Sequence, residues 1–207
     1  MNLTATIKEV QSALTITADG LPGPETWTAI HKRIIGSRAG TTDATTPTAG
    51  TVDPRSEGNI ATLLPEVHPY ARALVQRAAA VGITNKIISG TRTYAEQDAL
   101  YAKGRTTPPI GKKHIVTNAR GGFSNHNFGI AFDIGVFEGS SYLDDSPKYK
   151  AVGAIGTELG LDWGGNWTSL VDEPHYQLRP QWAADMTERE MVTELRRRKE
   201  TGSSVFS

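Results

Sequence analysis

The most regular alternation of apolar and other residues lies between positions 130 and 137. Every second residue from Ile130 to Val136 is a large aliphatic or aromatic residue, which predicts a β-strand with one apolar face. The opposite face carries Asp133 between two small residues. An isolated charge is too costly to bury, so we expect Asp133 to be paired, hydrogen-bonded or bound to a cation. Gly129 permits a turn just before the strand, which would let His126 fold back over the strand end.

Segments with apolar residues at helical spacing lie on both sides of this strand. Two of the predicted helices begin at capping boxes, one formed by Thr93 with Glu96 and the other by Thr187 with Glu190. The pattern predicts helices over about residues 5–15, 24–35, 69–81, 94–103, 147–159 and the segment after Thr187, and further strands at 86–89 and within 171–178.

A segment of different composition separates the first two predicted helices from the rest of the chain. Residues 36–55 are rich in Thr, Gly, Ala and Pro and have no apolar periodicity, which is typical of a flexible linker. We therefore predict a helical segment over 1–36, a linker over 37–56, a main domain over 57–182, and a C-terminal helix and tail over 183–207.

The balance of charge argues against a nucleic-acid partner. The sequence has 22 basic and 22 acidic residues and a net charge of zero, so it has no global field to hold nucleic acid or an anionic membrane. The basic residues 196–199 end the last predicted helix, where cations complement the helix dipole. We interpret them as a solvated helix end rather than as a contact with a wall or a membrane.

Composition also limits the chemistry and the location. The absence of cysteine excludes disulfides, thiolate ligands and a Cys nucleophile, which leaves His, Asp and Glu as strong ligands for a transition metal. No stretch has the length of a transmembrane helix, and residues 1–8 lack the pattern of a secretory signal. We expect a monomer that is made in the cytoplasm and needs another factor to leave it.

Three residues far apart in the sequence could form a metal site. His126, Asp133 and His175 offer nitrogen and oxygen ligands, and three protein ligands would leave a fourth position for water, as in catalytic zinc sites. Asp172 precedes His175 by three residues, so a turn could hold its carboxylate beside that water as a general base. Glu173 is the alternative base, which we rank second because adjacent side chains tend to point in different directions.

Arg92 is a candidate for stabilising a developing negative charge. It lies between a predicted strand and a helix N-terminus, and a hydrolytic site needs a cation or hydrogen-bond donor that faces the oxyanion. The residues alone equally allow a structural salt bridge from Arg92 to Asp98 or Glu96.

The first 36 residues resemble the helical peptidoglycan-binding module found at the ends of many cell-wall hydrolases. The alternative is a helical hairpin that merely packs on the main domain, because so short a piece is marginal as an independent fold. The residues that carry the resemblance are Val10-Gln11, Asp19-Gly20, Gly23-Pro24 and Thr26-Trp27.

Residues 60–180 resemble the zinc D,D-peptidase family, which includes D-alanyl-D-alanine carboxypeptidases, dipeptidases and the L-alanyl-D-glutamate endopeptidases of phages and bacilli. Features typical of the endopeptidase branch are Gly104–Thr106, Val116–Ala119 and Leu161-x-Trp163-Gly164-Gly165-x-Trp167. The family motifs present are Ser124-x-His126-x-x-Gly129-x-Ala131-x-Asp133, Asp172-x-x-His175, and Ser89-Gly90-x-Arg92 followed by Gln97 and Leu100-Tyr101.

The resemblance implies a fold, a cofactor and a role for each motif residue. The implied fold is a small α+β domain with a central antiparallel sheet flanked by helices, here with a short N-terminal helical segment on a flexible linker. One Zn²⁺ ion would be bound by His126, Asp133 and His175. Asp172 would be the catalytic base and Arg92 would stabilise substrate or transition state, while Ser124 and Gln97 would bind substrate.

The resemblance also implies a substrate. The main hypothesis is a zinc endopeptidase that cuts peptidoglycan stem peptides between L-alanine and D-glutamate, as a phage or prophage endolysin released by a holin. The alternatives are a D,D-carboxypeptidase that trims terminal D-alanine, and a zinc-containing wall-binding protein that cleaves nothing.

Overall fold

The computed structural model describes residues 3–21, 26, 29, 50–168 and 171–207. The chain divides into two compact units, Met1–Thr46 and Pro47–Ser207. This division falls within the predicted linker of residues 37–56, most of which lies outside the described residues. The predicted domain limits therefore stay a prediction.

The first unit is organised around a buried glutamine. Helix α1 spans Leu3–Ala13, close to the prediction, and the side chain of Gln11 near its end is 1% exposed. The Gln11 amide donates to Asp19 Oδ1 at 2.7 Å and to Thr26 Oγ1 at 2.9 Å, and accepts from the Gly20 backbone N–H at 2.8 Å. One side chain thus holds the turn that follows α1. The second predicted helix, over 24–35, lies outside the described residues except for positions 26 and 29.

The second unit contains five strands in one sheet with helices around it, so the predicted α+β class is confirmed. The sheet order is β1-β2-β5-β4, and β3 pairs with β2 beyond this path. The strands are β1 (Thr84–Ser89), β2 (Ala131–Glu138), β3 (Ser141–Leu143), β4 (Asp162–Trp163) and β5 (His175–Gln177). The described helices are α2 (Pro54–Ile60), α3 (His68–Ala80), α4 (Tyr94–Ala102), α5 (Lys148–Glu158) and α6 (Glu188–Thr201).

Strand β2 is central, and its neighbours are antiparallel to it. The register pairs Asp133 with Ser89 of β1 on one side and with His175 of β5 on the other. Asp133 and His175 are therefore direct cross-strand neighbours although 42 residues separate them in the sequence.

The main core lies between this sheet and helices α3 and α5. Phe132 of β2 stacks on Tyr176 of β5 with ring centroids 5.8 Å apart, and Tyr149 of α5 donates from its hydroxyl to Leu143 O at 2.7 Å. Burial of these large side chains is the main stabilising contribution of the sheet. A second apolar cluster joins α6 to the start of β2 and consists of Phe128, Ile130, Ala183, Met191, Val192 and Leu195.

Most predicted elements agree with the structure to within a few residues. The capping boxes at Thr93 and Thr187 are both present, and the predicted helix over 69–81 is observed at 68–80. The strand predicted within 171–178 is limited to 175–177. The short strands β3 and β4 were not predicted, nor was helix α2, which begins at Pro54 inside the predicted linker. Among the described residues, no helix is both long and apolar enough to cross a membrane.

Residues 196–199 are only in part the solvated helix end that the sequence predicts, since Arg197 and Lys199 are exposed and Arg196 and Arg198 are half-buried. The Lys199 ammonium donates to Asn127 O at 2.8 Å, and the Arg198 guanidinium lies 4.3 Å from the centre of the Trp182 ring. These cations bind the protein itself because α6 packs along the segment that carries His126.

Candidate metal centre

Local structure brings His126 to the edge of β2. His126 lies on a short 3₁₀ helix, Asn125–Phe128, which ends at Gly129 with φ 73°. That left-handed conformation is open to glycine without the strain that a Cβ would add. The Gly129 carbonyl accepts a hydrogen bond from Leu64 N at 3.0 Å, which fixes the turn. The predicted turn between the two ligands is therefore present.

Three ligand atoms converge on one point. Nε2 of His126 lies 3.2 Å from Asp133 Oδ1 and 3.3 Å from Nδ1 of His175, and that Nδ1 lies 3.3 Å from the same carboxylate oxygen. In a tetrahedral zinc site with bonds near 2.0–2.1 Å, neighbouring ligand atoms are about 3.3 Å apart. The donor set and its spacing therefore fit a zinc ion.

The second nitrogen of each imidazole is bound to an oxygen. Nδ1 of His126 lies 2.8 Å from Gly90 O, and Nε2 of His175 lies 3.0 Å from Gln177 Oε1. Because these oxygens are acceptors, both ring nitrogens must donate, and the nitrogens that face Asp133 are the ones available to a metal ion. Ligand histidines are held in this way in metal sites.

The electrostatics favour a neutral ligand beside a charged one. Burial lowers the pKa of His126, which keeps its imidazole neutral at neutral pH. Burial by itself would raise the pKa of Asp133, but His126 and His175 outweigh it and hold that pKa well below its usual value. Asp133 is therefore an anion at neutral pH, as a metal ligand must be.

Arg92 faces the same point from the end of β1. Its Nη2 lies 3.8 Å from Asp133 Oδ2, so its ion-pair partner is a metal-ligand candidate and not Glu96 or Asp98. The backbone of Arg92 is anchored, since its N–H donates to His126 O at 3.0 Å and its carbonyl accepts from Asn127 Nδ2 at 2.9 Å. These two hydrogen bonds fix the backbone position from which the Arg92 side chain extends towards Asp133.

Asp172 lies in the turn that precedes β5. Its backbone N–H donates to Gly164 O at 3.0 Å, and its carbonyl accepts from His175 N at 3.1 Å. Burial raises the pKa of its carboxyl group, which moves a carboxylate towards the range of a general base. Asp172 lines the same cavity as the three ligands, whereas Glu173 is not among the residues of the cavity wall.

Comparison with known proteins agrees with this site. Residues 117–178 match a family described as D-alanyl-D-alanine carboxypeptidase. The chain is also similar to the peptidoglycan L-alanyl-D-glutamate endopeptidase CwlK of Bacillus subtilis (strain 168), with 39% identity over 128 residues that cover 57% of this chain and 74% of that relative. The chain belongs to the zinc D,D-peptidase family. It is therefore a zinc-dependent metallopeptidase from a family of cell-wall hydrolases.

Two solved structures resemble this chain more distantly. The crystal structure of the Serratia marcescens L-Ala D-Glu endopeptidase ChiX is 22% identical with a TM-score of 0.45, and covers 66% of this chain and 93% of its own. A variant of the D,D-pentapeptidase VanY from a VanB-type resistance cassette, in complex with Zn(II), is 20% identical with a TM-score of 0.45, and covers 69% of this chain and 81% of its own. Similarity at this level is too low to bear on the details of the site.

The candidate metal centre opens into a cavity of about 790 Å³. Ser124 lies on the cavity wall, as expected for a residue that binds substrate. Trp167 packs against His175 with ring centroids 4.9 Å apart. The wall also includes Tyr101, Phe123, Tyr142 and a second arginine, Arg120. A cavity of this size and mixed polarity suits a short peptide.

Gln97 does not lie on the cavity wall. Its side chain is 1% exposed, and its Nε2 donates to Ala119 O at 2.9 Å and to Thr117 Oγ1 at 3.3 Å. Thr117 and Ala119 themselves line the cavity. The position of Gln97 corrects the expectation of direct substrate contact and supports a role in shaping the wall.

Sequence reasoning missed the polar residues that surround His175. Gln177 shares a strand face with His175 because it lies two residues further along β5, so the period of the strand could have indicated it. Glu188 contacts Gln177 from the start of α6, 11 residues away. No local pattern predicts that contact.

Proposed function

We propose that this protein hydrolyses peptidoglycan stem peptides at the L-alanyl-D-glutamate bond. The observation that carries the proposal is the convergence of His126, Asp133, His175, Asp172 and Arg92 on one cavity. The similarity to CwlK supports the choice of bond, since the name of that relative states this activity.

Each residue has a distinct task in the proposed hydrolysis. His126, Asp133 and His175 would hold the zinc ion, which would supply a Lewis acid for the peptide carbonyl and lower the pKa of water. Asp172 accepts a proton from the attacking water and returns it to the leaving amine. Arg92 donates hydrogen bonds to the oxygen that gains negative charge. The C–N bond breaks, and the products are a carboxylic acid and an amine.

A basic residue on the cavity wall favours an acidic substrate. Arg120 lies on that wall, and its guanidinium is 4.7 Å from the centre of the Tyr101 ring. A D-glutamate residue carries a carboxylate beside the proposed scissile bond, and arginine binds carboxylates with two parallel hydrogen bonds. Arg120 is thus placed to select the glutamate side of the bond.

We further propose that the protein acts as a phage or prophage endolysin that is made in the bacterial cytoplasm and is released to the wall by a holin. The resemblance of residues 1–36 to a wall-binding module supports this role. The test is expression in a bacterial host with and without a co-expressed holin. Lysis that requires the holin is expected, while lysis without it would contradict the proposed route.

The bond that is cut can be measured directly. Purified peptidoglycan should be digested with the zinc-loaded protein, and the fragments identified by mass spectrometry with and without a chelator. New N-terminal D-glutamate that disappears with the chelator is expected. Release of D-alanine with an intact L-alanyl-D-glutamate bond would instead establish a D,D-carboxypeptidase, the activity in the description of the matching family. Absence of any cleavage would favour the wall-binding alternative.

A further inference from the structure

The buried surroundings of His175 extend beyond the ring to a chain of polar groups. Nε2 of His175 lies 3.0 Å from Gln177 Oε1. Gln177 is fully buried and His175 is 6% exposed. Since water has little access, the side-chain amide of Gln177 decides which ring nitrogen of His175 carries the proton.

Two carboxylates determine the orientation of that amide. Gln177 Nε2 lies 3.3 Å from each carboxylate oxygen of Glu188 and 3.4 Å from Asp162 Oδ2. Ionised carboxylates only accept hydrogen bonds, so the amide NH₂ must point towards them and the amide oxygen towards His175. If the amide were reversed, its NH₂ would meet the Nε2–H of His175, and a carbonyl oxygen would meet two carboxylates.

Other side chains hold the two carboxylates in place. Arg179 donates to Glu188 Oε2 at 2.8 Å and to Asp162 Oδ2 at 2.6 Å. Asn125, the residue before His126, donates to Gln177 Oε1 at 2.5 Å and also to Glu188 Oε1. The arginine therefore holds both partly exposed carboxylates beside the buried amide.

We infer that Glu188, the first residue of α6, is a positioning residue that acts through Gln177. It keeps the proton of His175 on Nε2, so that Nδ1, which faces Asp133, is free to bind a metal ion. The C-terminal helix is then part of the metal centre, although it lies beyond residue 178, where the match to the peptidase family ends. The inference rests on the metal site of the proposed function. It assigns Glu188 no contact with substrate.

The orientation of the Gln177 amide should affect how tightly the site binds zinc. If Gln177 loses its orientation, the His175 proton can move to Nδ1, and a protonated nitrogen cannot bind a metal ion. Groups that hold ligand histidines from the outside typically change metal affinity by about 10–100-fold. Gln177→Met, which keeps the length of the side chain and removes the amide, should weaken zinc binding by about that factor.

The test measures the zinc dissociation constant of the full chain by competition with a chromophoric chelator. Glu188→Ala should weaken zinc binding in the same direction as Gln177→Met, and the double variant should be no weaker than Gln177→Met alone, because the two residues act in series. Glu188→Gln, which keeps the size of the side chain and one acceptor oxygen, should lose less zinc affinity than Glu188→Ala. In the zinc-free protein, at a pH at which the ring is neutral, the ¹⁵N shifts of His175 should show a proton on Nε2 in the wild type and a mixture of the two tautomers in Glu188→Ala.

Glu190→Ala is the matched control. Glu190 lies on the same turn of α6, where its carboxylate accepts from Thr187 N at 2.8 Å as part of the capping box. Loss of this cap should lower the thermal midpoint by destabilising the helix end, while zinc affinity and the His175 shifts stay unchanged.

Two results would overturn the inference. In the first, Glu188→Ala and Glu188→Gln bind zinc no more weakly than Glu190→Ala does. In the second, the effects of Glu188→Ala and Gln177→Met on zinc affinity are fully additive in the double variant. Zinc affinity does not depend on which peptide bond is cut. Peptidoglycan left intact by a protein whose zinc affinity follows the expected pattern would refute the proposed function alone, and cleavage without that pattern would refute this inference alone.

Discussion

The carbonyl oxygen of Gly90 accepts a hydrogen bond from Nδ1 of His126 at 2.8 Å. This contact ties the end of β1 to the metal centre and leaves Nε2 of His126 free to bind zinc. Gly90 can make it because the chain passes close to α2 at this point. A Cβ at Gly90 would lie 2.3 Å from Thr62 Oγ1 and 2.5 Å from Asn59 O.

Gly90→Ala should therefore move the backbone and damage the site. We expect a loss of about 1–3 kcal/mol in the free energy of unfolding, as for other overpacked positions, together with weaker zinc binding. Gly58→Ala in α2 is the control, because a Cβ there meets nothing within 4 Å, and it should be neutral or stabilising by up to about 1 kcal/mol. Chemical denaturation and zinc titration of both variants would measure this, and equal behaviour of the two would contradict it.

Zinc should stabilise the folded protein. Free zinc at a thousand times its dissociation constant contributes about 4 kcal/mol to the free energy of unfolding, so the thermal midpoint should rise on addition of zinc and fall with a chelator. His126→Ala should lose most of this zinc-dependent rise. His114→Ala, which changes a histidine outside the ligand group, should keep it. A zinc-dependent rise that survives in His126→Ala would place the ion elsewhere.

Asp172→Asn should abolish the function of the general base without affecting zinc binding. The variant keeps the shape of the side chain but cannot accept a proton, so kcat should fall by about 10²–10⁴-fold while zinc content stays at the wild-type value. Glu173→Gln should retain activity, because Glu173 is not on the cavity wall. Steady-state kinetics on a soluble stem peptide and zinc analysis would check this. If Glu173→Gln is the inactive variant, the assignment of the base is reversed.

Arg120→Ala should weaken binding of substrates with a free glutamate carboxylate. We expect KM to rise by about 10-fold, the equivalent of one charge-assisted hydrogen bond of about 1.4 kcal/mol, with little change in kcat. A stem peptide whose glutamate carboxylate is amidated should show no such difference between the variant and the wild type. Lys113→Ala, a change in the same loop away from the cavity wall, should leave KM unchanged. An equal effect on both peptides would show that Arg120 does not read this carboxylate.

The ion pair between Glu57 and Arg72 should make part of the stability depend on pH. Arg72 donates from Nε to Glu57 Oε1 at 2.9 Å and from Nη2 to Oε2 at 2.7 Å, and this hydrogen bonding lowers the pKa of Glu57 from its usual value of 4.5. A lowered pKa in the folded state means that the contribution is complete above the unfolded pKa and is lost as the pH falls from about 4.5 through the folded pKa.

The variant that tests the pair is Glu57→Gln. At neutral pH it should lower the thermal midpoint by roughly 2–4 °C, the effect of about 1 kcal/mol in a domain of this size. The difference from the wild type should shrink in acid, where Glu57 is protonated in both states. Glu66→Gln, at an exposed position, should show no difference at either pH. Calorimetry across this pH range would measure the difference. A difference in thermal midpoint between Glu57→Gln and the wild type that stays constant with pH would contradict the prediction.

Local patterns in the sequence predicted most helices and the central strand. The capping boxes at Thr93 and Thr187 and the alternation in β2 depend on residues within one or two turns of each other. The three metal ligands and Asp172 were also proposed from the sequence, through the chemistry of their side chains and the resemblance to the zinc D,D-peptidase family. Residue types in a motif can be read from the sequence without knowing how distant segments pack.

Contacts between distant segments were decided by the tertiary structure. The register of β2 and β5 places Asp133 opposite His175, and the packing of α6 brings Glu188 to Gln177 and Lys199 to Asn127. The same packing brings Arg198 and Lys199 into contact with the protein, so that the basic helix end is solvated only in part. By itself the sequence determined which groups could bind zinc and catalyse hydrolysis; the fold decided which groups hold them in place, because those contacts join segments that no local periodicity connects.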